Sequence, residues 1–461
     1  MTTSRRTAML TEPVGKTLTN LTVATIFGML GMVAFNLADT FFVGQLGTKQ
    51  LAAMSFTFPV VMVVLSIAYG IGQGGAALIA RAIGEGDQAK VRRITTDLIL
   101  LALLVVIVLS GVGVLTVGPL FTALGAPPDI LALIREYMFI WYVMILLVLV
   151  PMIANLAIRA TGDAKTPSVI MMVAVAVNIA LDPLLIFGWG PIPRLELVGA
   201  ALATAISRAV TLVYAVYVIY FRERMITLEW PGIRVLLDSW RQILYIGVPA
   251  AATNMITPLS MGLITRLVAT QGVAAVAAFG VASRIDMFAL VVIMSLGNVL
   301  TPFVGQNWGA GEFDRVRRSI RLSQQFSLLW GLLMVLLLAL PGPMLASLFN
   351  DNPQVVENVV LYLWIVPLSY GIQGILRLAS FALNVLNKPL YSMLLTLLQM
   401  FGLYIPLAYL GSEWMGVTGI FGAAAVANLV SGIVAFWVLR ETVTAEERKV
   451  TMARMIGVAA D

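Results

Sequence analysis

Ala80-Arg81-Ala82-Ile83-Gly84-Glu85-Gly86-Asp87-Gln88-Ala89-Lys90-Val91-Arg92-Arg93 recurs, 225 residues later, as Gly305-Gln306-Asn307-Trp308-Gly309-Ala310-Gly311-Glu312-Phe313-Asp314-Arg315-Val316-Arg317-Arg318. Gly84 and Gly86 fall on Gly309 and Gly311, Asp87 on Glu312, Lys90 on Arg315, and Val91-Arg92-Arg93 on Val316-Arg317-Arg318. The same offset pairs Gly47 with Gly272, Ala52-Ala53 with Ala277-Ala278 and Gly72 with Gly297. Later the register drifts, and Thr166-Pro167 falls on Lys388-Pro389 and Gly199 on Gly419. Composition bias does not hold one register over so many loop positions. The chain is therefore read as a duplication of one unit.

Its composition says what kind of unit. Of 461 residues, 60% are hydrophobic and only 11% charged, against about 25% charged in a soluble domain. Mean hydropathy is +0.96. This excludes disorder, collagen and coiled coil and points to an integral membrane protein. The apolar runs are longer and less alternating than the strands of a membrane β-barrel. A spanning helix needs about 20 apolar residues. Runs of that kind predict twelve helices, near 17–45, 50–78, 94–118, 134–157, 166–188, 197–220, 242–268, 275–303, 318–342, 357–383, 389–411 and 416–440.

The basic residues orient them. Of the 29 Lys and Arg, 23 fall on one side of the predicted spans, and only Lys49, Arg135 and Arg194 on the other. Arg208, Arg266 and Arg284 lie within spans, and no role is assigned to them. The positive-inside rule then places both termini in the cytoplasm of a multi-pass protein of the cell (inner) membrane. The basic excess marks topology and not nucleic-acid binding. Arg5 and Arg6 precede a polar stretch and a full-length span, so no cleaved signal peptide is expected. The expected organisation is an amino-terminal tail (1–16), a six-helix bundle (17–220), a charged linker (221–241), a second six-helix bundle (242–440) and a carboxy-terminal tail (441–461). Both bundles begin on the same side, so they are parallel repeats, an architecture of secondary transporters with the substrate path between the halves.

There is no cysteine and no histidine. Thiol chemistry, zinc sites of the histidine kind and histidine proton relays are excluded. Proton handling falls to carboxylates, and an ionisable group inside the hydrocarbon is a functional candidate by default. Asp39 stands late in span 1 and Asp182 late in span 5, at similar depth. Asn178 is one helical turn before Asp182, on the same face. Pro183 has no N–H, so the carbonyl of Ile179 loses its helical partner. An amide, a carboxylate and a free carbonyl suit either a proton-bearing acid or a small hard cation. Burial in an apolar span disfavours a charged carboxylate, which favours H⁺ over Na⁺. The second half does not repeat these acids: Asp39 corresponds to Ile264, and Ile405-Pro406 stand near the partner of Asp182. Coupling is therefore expected in the first half only. Asp286, two residues from Arg284, reads as either a structural ion pair or a functional acid.

The NLADTFFVGQLG stretch (36–47), the ARAIGEGD loop (80–87), the RATGDAKTP turn (159–167) and the NIALDPLLIFG stretch (178–188) resemble the multidrug and toxic compound extrusion (MATE) transporters. The resemblance spans about residues 10–440. The acid placement resembles the DinF-type branch; the NorM-type branch carries acids in spans 7 and 10. The resemblance implies an all-α, V-shaped pair of bundles, alternating access, and export of cationic or amphipathic drugs against H⁺ or Na⁺ entry. It implies no enzyme activity, no cofactor beyond the coupling ion, and a monomer whose partners are small drugs and the lipid bilayer. It gives Asp39, Asn178 and Asp182 the coupling role, with Thr204 of span 6 and Tyr137 of span 4 in the same network. Asp39, Asn178, Asp182 and Thr204 would also hold Na⁺. Asn155 lines the cavity lower down, with Met32, Phe35 and Asn36 of span 1 as further cargo contacts. The 23 Met and 20 Phe suit varied apolar cargo. Family members carry a proline early in span 1. Here Ala24 stands there and Pro249 occupies the repeat position, so span 1 is expected to be straighter, with Gly28 and Gly31 leaving some flexibility.

Two other functions are weighed. A flippase for lipid-linked or polysaccharide cargo commonly has extra spans or a basic cavity. An integral membrane transferase wants clustered acids or a histidine site. Neither signature is present, and there is no P-loop for ATP-driven pumping.

Overall fold

A computed structural model describes residues 3–188, 193–349 and 351–456; within the helices a few side chains, including those of Asn36 and Asp39, fall outside the described set. Among the described residues eleven helices are long and apolar enough to cross a membrane, and Pro128–Val143 with Ile145–Ala160, bent by 48°, makes a twelfth span. No strand occurs among the described residues. Helices are the expected outcome, because lipid offers no partner for a bare N–H or C=O.

Spans 1 to 3 are Val14–Gly44, Thr48–Glu85 and Gln88–Ala123, and span 4 is the bent pair. Span 5 is Lys165–Phe187, and span 6 is Glu196–Tyr217 ending in a π-turn at Val218–Arg222. Spans 7 to 9 are Ile233–Ala269, Val273–Ala310 and Phe313–Ala339. Span 10 joins Pro353–Ile365 to Tyr370–Val385 through a 3₁₀ turn, Val366–Ser369. Span 11 runs from Pro389 to Met415 around a π-helical stretch, Leu398–Tyr404, and span 12 is Val417–Ile456.

The duplication is visible in the backbone. Spans 2 and 8 are both 38 residues long and begin and end 225 residues apart. Each is closed by a left-handed glycine, Gly86 and Gly311, both at φ 83°. The turn before span 5 uses Gly162 at φ 87°, and its counterpart uses Asn387 at φ 61°. Glycine tolerates these angles without the Cβ penalty, and asparagine is the usual substitute. The breaks in spans 4 and 10 also correspond, at Met144 and Ser369.

The chain packs into two compact units: Met1–Thr11 with Val23–Ala251, and Glu12–Thr22 with Ala252–Asp461. The cut expected at 221–241 follows the chain's exit from span 6; this one follows which residues touch. In the first unit the start of span 7 sits directly on span 2. A Cβ added at Gly70 would meet the backbone of Gly247 and Ala251, and one at Gly74 the backbone of Ile243 and Gly247. Small residues four apart permit such close approach. The segment between spans 6 and 7, with the first turns of span 7, lies against span 3. Arg92 Nε donates to the carbonyl of Arg224 (3.1 Å), Arg93 Nη1 to that of Glu229 (3.0 Å) and Trp240 Nε1 to that of Asp97 (2.9 Å).

The basic amino-terminal stretch forms a helix, Thr3–Thr11, pinned by a buried ion cluster. Arg5 pairs with Asp163 (3.0 Å) and Glu223 (2.8 Å), and Arg222 bonds both acids and the Thr166 hydroxyl (2.9 Å). Burial alone would raise the Asp163 carboxyl. The Thr166 hydroxyl and amide, with Arg5 and Arg222, outweigh it and hold Asp163 below the ordinary aspartate value. A depressed carboxyl contributes stability that is present above its unfolded value, about 3.9, and lost as pH falls through the folded value. Asp163→Asn is expected to flatten the acid limb of Tm against pH below about pH 4. It should also cost roughly 1–3 kcal/mol at neutral pH, because Arg5 and Arg222 then share Glu223 as their one remaining acid. Thermal melts of both proteins across the acid range check the two effects together.

Candidate functional site

Span 5 carries the clearest polar pair of the first unit. Asn178 and Asp182 are both fully buried, and Asn178 Nδ2 donates to Asp182 Oδ1 at 3.2 Å. The one-turn spacing read from the sequence therefore makes a real contact. The helix continues through Pro183, which leaves the Ile179 carbonyl without its usual N–H. Asn178 Oδ1 is buried and accepts no hydrogen bond. Span 6 packs on span 5, and at Gly199 an added Cβ would strike the Leu185 carbonyl, three residues beyond Asp182. Thr204, one and a half turns further along span 6, is half-buried, and its carbonyl accepts from Ser207 Oγ at 2.8 Å.

The other named residues are spread over several spans. Tyr137 is half-buried in the first helix of span 4, against the apolar core of the unit. Asn155 is half-buried in the second helix, its Oδ1 buried and without a hydrogen-bond partner. Met32 is 44% exposed. Phe35 is only 4% exposed and lies beneath the Arg208 guanidinium, 4.6 Å from its ring centre. Arg208 also reaches Met171 Sδ at 3.7 Å. Phe35 therefore packs a mid-span cation, a contact that sequence spacing gave no means of finding. Asn36 and Asp39 lie on span 1, with side chains outside the described residues. Span 1 is helical without interruption through Ala24. Gly28 and Gly31 have a packing reason: an added Cβ at Gly28 would meet Ser168 Oγ at 2.7 Å, and one at Gly31 would meet Met172 Sδ at 2.9 Å.

In the second unit Asp286 is bound by Tyr362 and Tyr370, whose hydroxyls donate to its two oxygens. No Arg284–Asp286 ion pair occurs among the described residues; residues two apart on a helix point to different sides, and Arg284 is exposed. Arg377, grouped by sequence with the basic side, sits well inside span 10. Two further polar features were not singled out from sequence. Gln399 bonds Asn428 (2.7 Å), which bonds Ser369 (2.9 Å), bridging the irregular turns of spans 10 and 11. Asp97 is buried and paired with Arg93 one turn before it; that spacing was open to a sequence reading. No cluster of three or more acids able to hold a metal occurs among the described residues.

The family model described as MatE matches residues 24–184 and 249–410. Its two segments begin at Ala24 and Pro249, the positions that the internal repeat pairs. The chain belongs to the MatE family. The FAD transporter of Shewanella oneidensis is 39% identical over 432 residues, covering 94% of this chain and 96% of that one. The probable multidrug resistance protein YoeA of Bacillus subtilis is 26% identical, covering 80% of each. Among solved structures, the Vibrio cholerae MATE transporter VcmN in its bent form superposes with a TM-score of 0.89 at 31% identity, covering 96% of this chain and 99% of that one. As a MatE protein, the chain is a multi-pass membrane transporter for small molecules and not an enzyme.

Proposed function

We propose that this transporter is a proton-driven exporter of amphipathic aromatic compounds, working by alternating access. The buried Asn178–Asp182 pair carries this reading. It is a carboxylate in an apolar span with a neutral amide donor one turn away, in a chain with no histidine. Within an apolar span, a proton is the cation that neutralises a carboxylate with least rearrangement. Asp39, Thr204 and Tyr137 join it in the proton path. Sodium is the alternative ion, for which Asn178 Oδ1 and the Ile179 carbonyl are suitable hard ligands. The proposed orientation has both termini in the cytoplasm, from the distribution of Lys and Arg. The proposed working form is a monomer.

Two cargo classes are in view. Cationic drugs are suggested by relatives named for multidrug export, YoeA and the Staphylococcus haemolyticus MepA. Flavin adenine dinucleotide is suggested by the 39% identical relative named for it. Arg208 near the middle of span 6, stacked on Phe35, favours this second reading, because a guanidinium on an aromatic face suits a flat anionic molecule. Cells expressing the protein should accumulate less of a fluorescent cationic dye, and an uncoupler should abolish the difference. Flavin secretion measured in the same cells distinguishes the cargoes. Dye accumulation unaffected by expression, with no added flavin in the medium, would rule out both.

A further inference from the structure

The second unit contains a carboxylate that the coupling pair leaves unused. Asp286 is 13 residues into span 8, about 20 Å along the helix, and so within the hydrocarbon. Tyr362 and Tyr370 close on it from span 10, one on each side of the 3₁₀ turn Val366–Ser369. Both tyrosines are buried, at 4% and 1% exposure. The groups facing it from its neighbours are Tyr404 of span 11 and Arg377 of span 10. Arg377 lies beyond ion-pair distance among the described residues: its Nη1 rests on Met294 Sδ (3.7 Å), and its Nε is buried without a partner. Arg284, on the same helix, is exposed. The acid is therefore held by two neutral hydroxyls and by no salt bridge.

The repeat adds an independent observation. An offset of 225 places Tyr362 on Tyr137, the span 4 tyrosine of the first unit, and Asp286 on Val61. The two halves thus retain an equivalent tyrosine while drawing their acids from different spans.

We propose that Asp286, clamped by Tyr362 and Tyr370, is a second proton-binding site, housed in the second unit and separate from the Asn178–Asp182 pair. Its use in transport rests on the export reading above; its binding of a proton does not. A proton taken from water turns one carboxylate oxygen into an O–H donor. That oxygen now donates to the tyrosine hydroxyl it faced, so that tyrosine must turn its own O–H toward another acceptor. The reversed hydrogen bond lies beside the 3₁₀ turn Val366–Ser369 of span 10. When the proton returns to water, the clamp re-forms.

Infrared difference spectra of the purified full chain in lipid, taken between alkaline and acid pH, test this directly. Beside the band expected of Asp182, the wild type should show a second protonated-carboxyl band that Asp286→Asn removes and Asp182→Asn retains. The Tyr362→Phe, Tyr370→Phe double variant removes two hydrogen bonds to the charged form and should move that band's midpoint to higher pH by about one unit or more. It also serves if Asp286→Asn does not fold. An unchanged band in Asp286→Asn, or an unmoved midpoint in the double variant, overturns the proposal. If the bands behave as expected but a pH gradient drives no export, the site stands and the export reading falls.

Discussion

Cells carrying Asp182→Asn at wild-type expression should accumulate a fluorescent cationic dye as fully as cells without the transporter. The substitution keeps the shape and removes the ionisable group that Asn178 holds at 3.2 Å. No histidine exists to take over. A loss of export on the order of ten-fold or more is expected, equivalent to about 1.4 kcal/mol. Asn178→Ala should impair export in the same direction by leaving the acid without its amide donor. Asp286→Asn should impair it less, because the pair in span 5 remains. If only Asp286→Asn lost export, coupling would belong to the second unit.

A comparable effect on folding is expected from Gly74→Leu. A side chain there would be driven into the Ile243 carbonyl and the Gly247 amide, so span 7 could not seat on span 2. Overpacking against side chains costs about 1–3 kcal/mol, and backbone has less room to yield. Most of the variant should aggregate on extraction or melt well below the wild type. Gly111→Leu is the control, since nothing lies within 4 Å of an added Cβ at that site. Matched size-exclusion profiles of the two variants would refute the close approach of spans 2 and 7.

The fold was legible because its signals are local. Apolar runs of span length, the basic loops and the Gly-x-Gly turn at 84–86 and 309–311 can all be read without knowing which helix touches which. The turn before span 5 was legible from its sequence, while the positive φ of Gly162 and of Asn387 came from the structure. Of the site, the Asn178–Asp182 contact was visible because helical periodicity alone creates it. What escaped depends on partners far away in the chain. Phe35 under Arg208 joins residues 173 positions apart, and the tyrosines on Asp286 are 76 and 84 positions away. A pattern reading offered Arg284 as one partner of Asp286, beside a functional role, whereas helix geometry separates the two. Gly28 and Gly31 read as points of flexibility, and the structure adds a packing role at Gly28, where a Cβ would press on Ser168.

The most direct test reconstitutes the protein in liposomes loaded with a fluorescent cationic drug, or with flavin adenine dinucleotide, and imposes a pH gradient or a sodium gradient of equal size. The expected result is transport driven by the pH gradient, abolished by Asp182→Asn and indifferent to sodium. Transport driven by sodium alone, persisting when the pH gradient is collapsed, would contradict it.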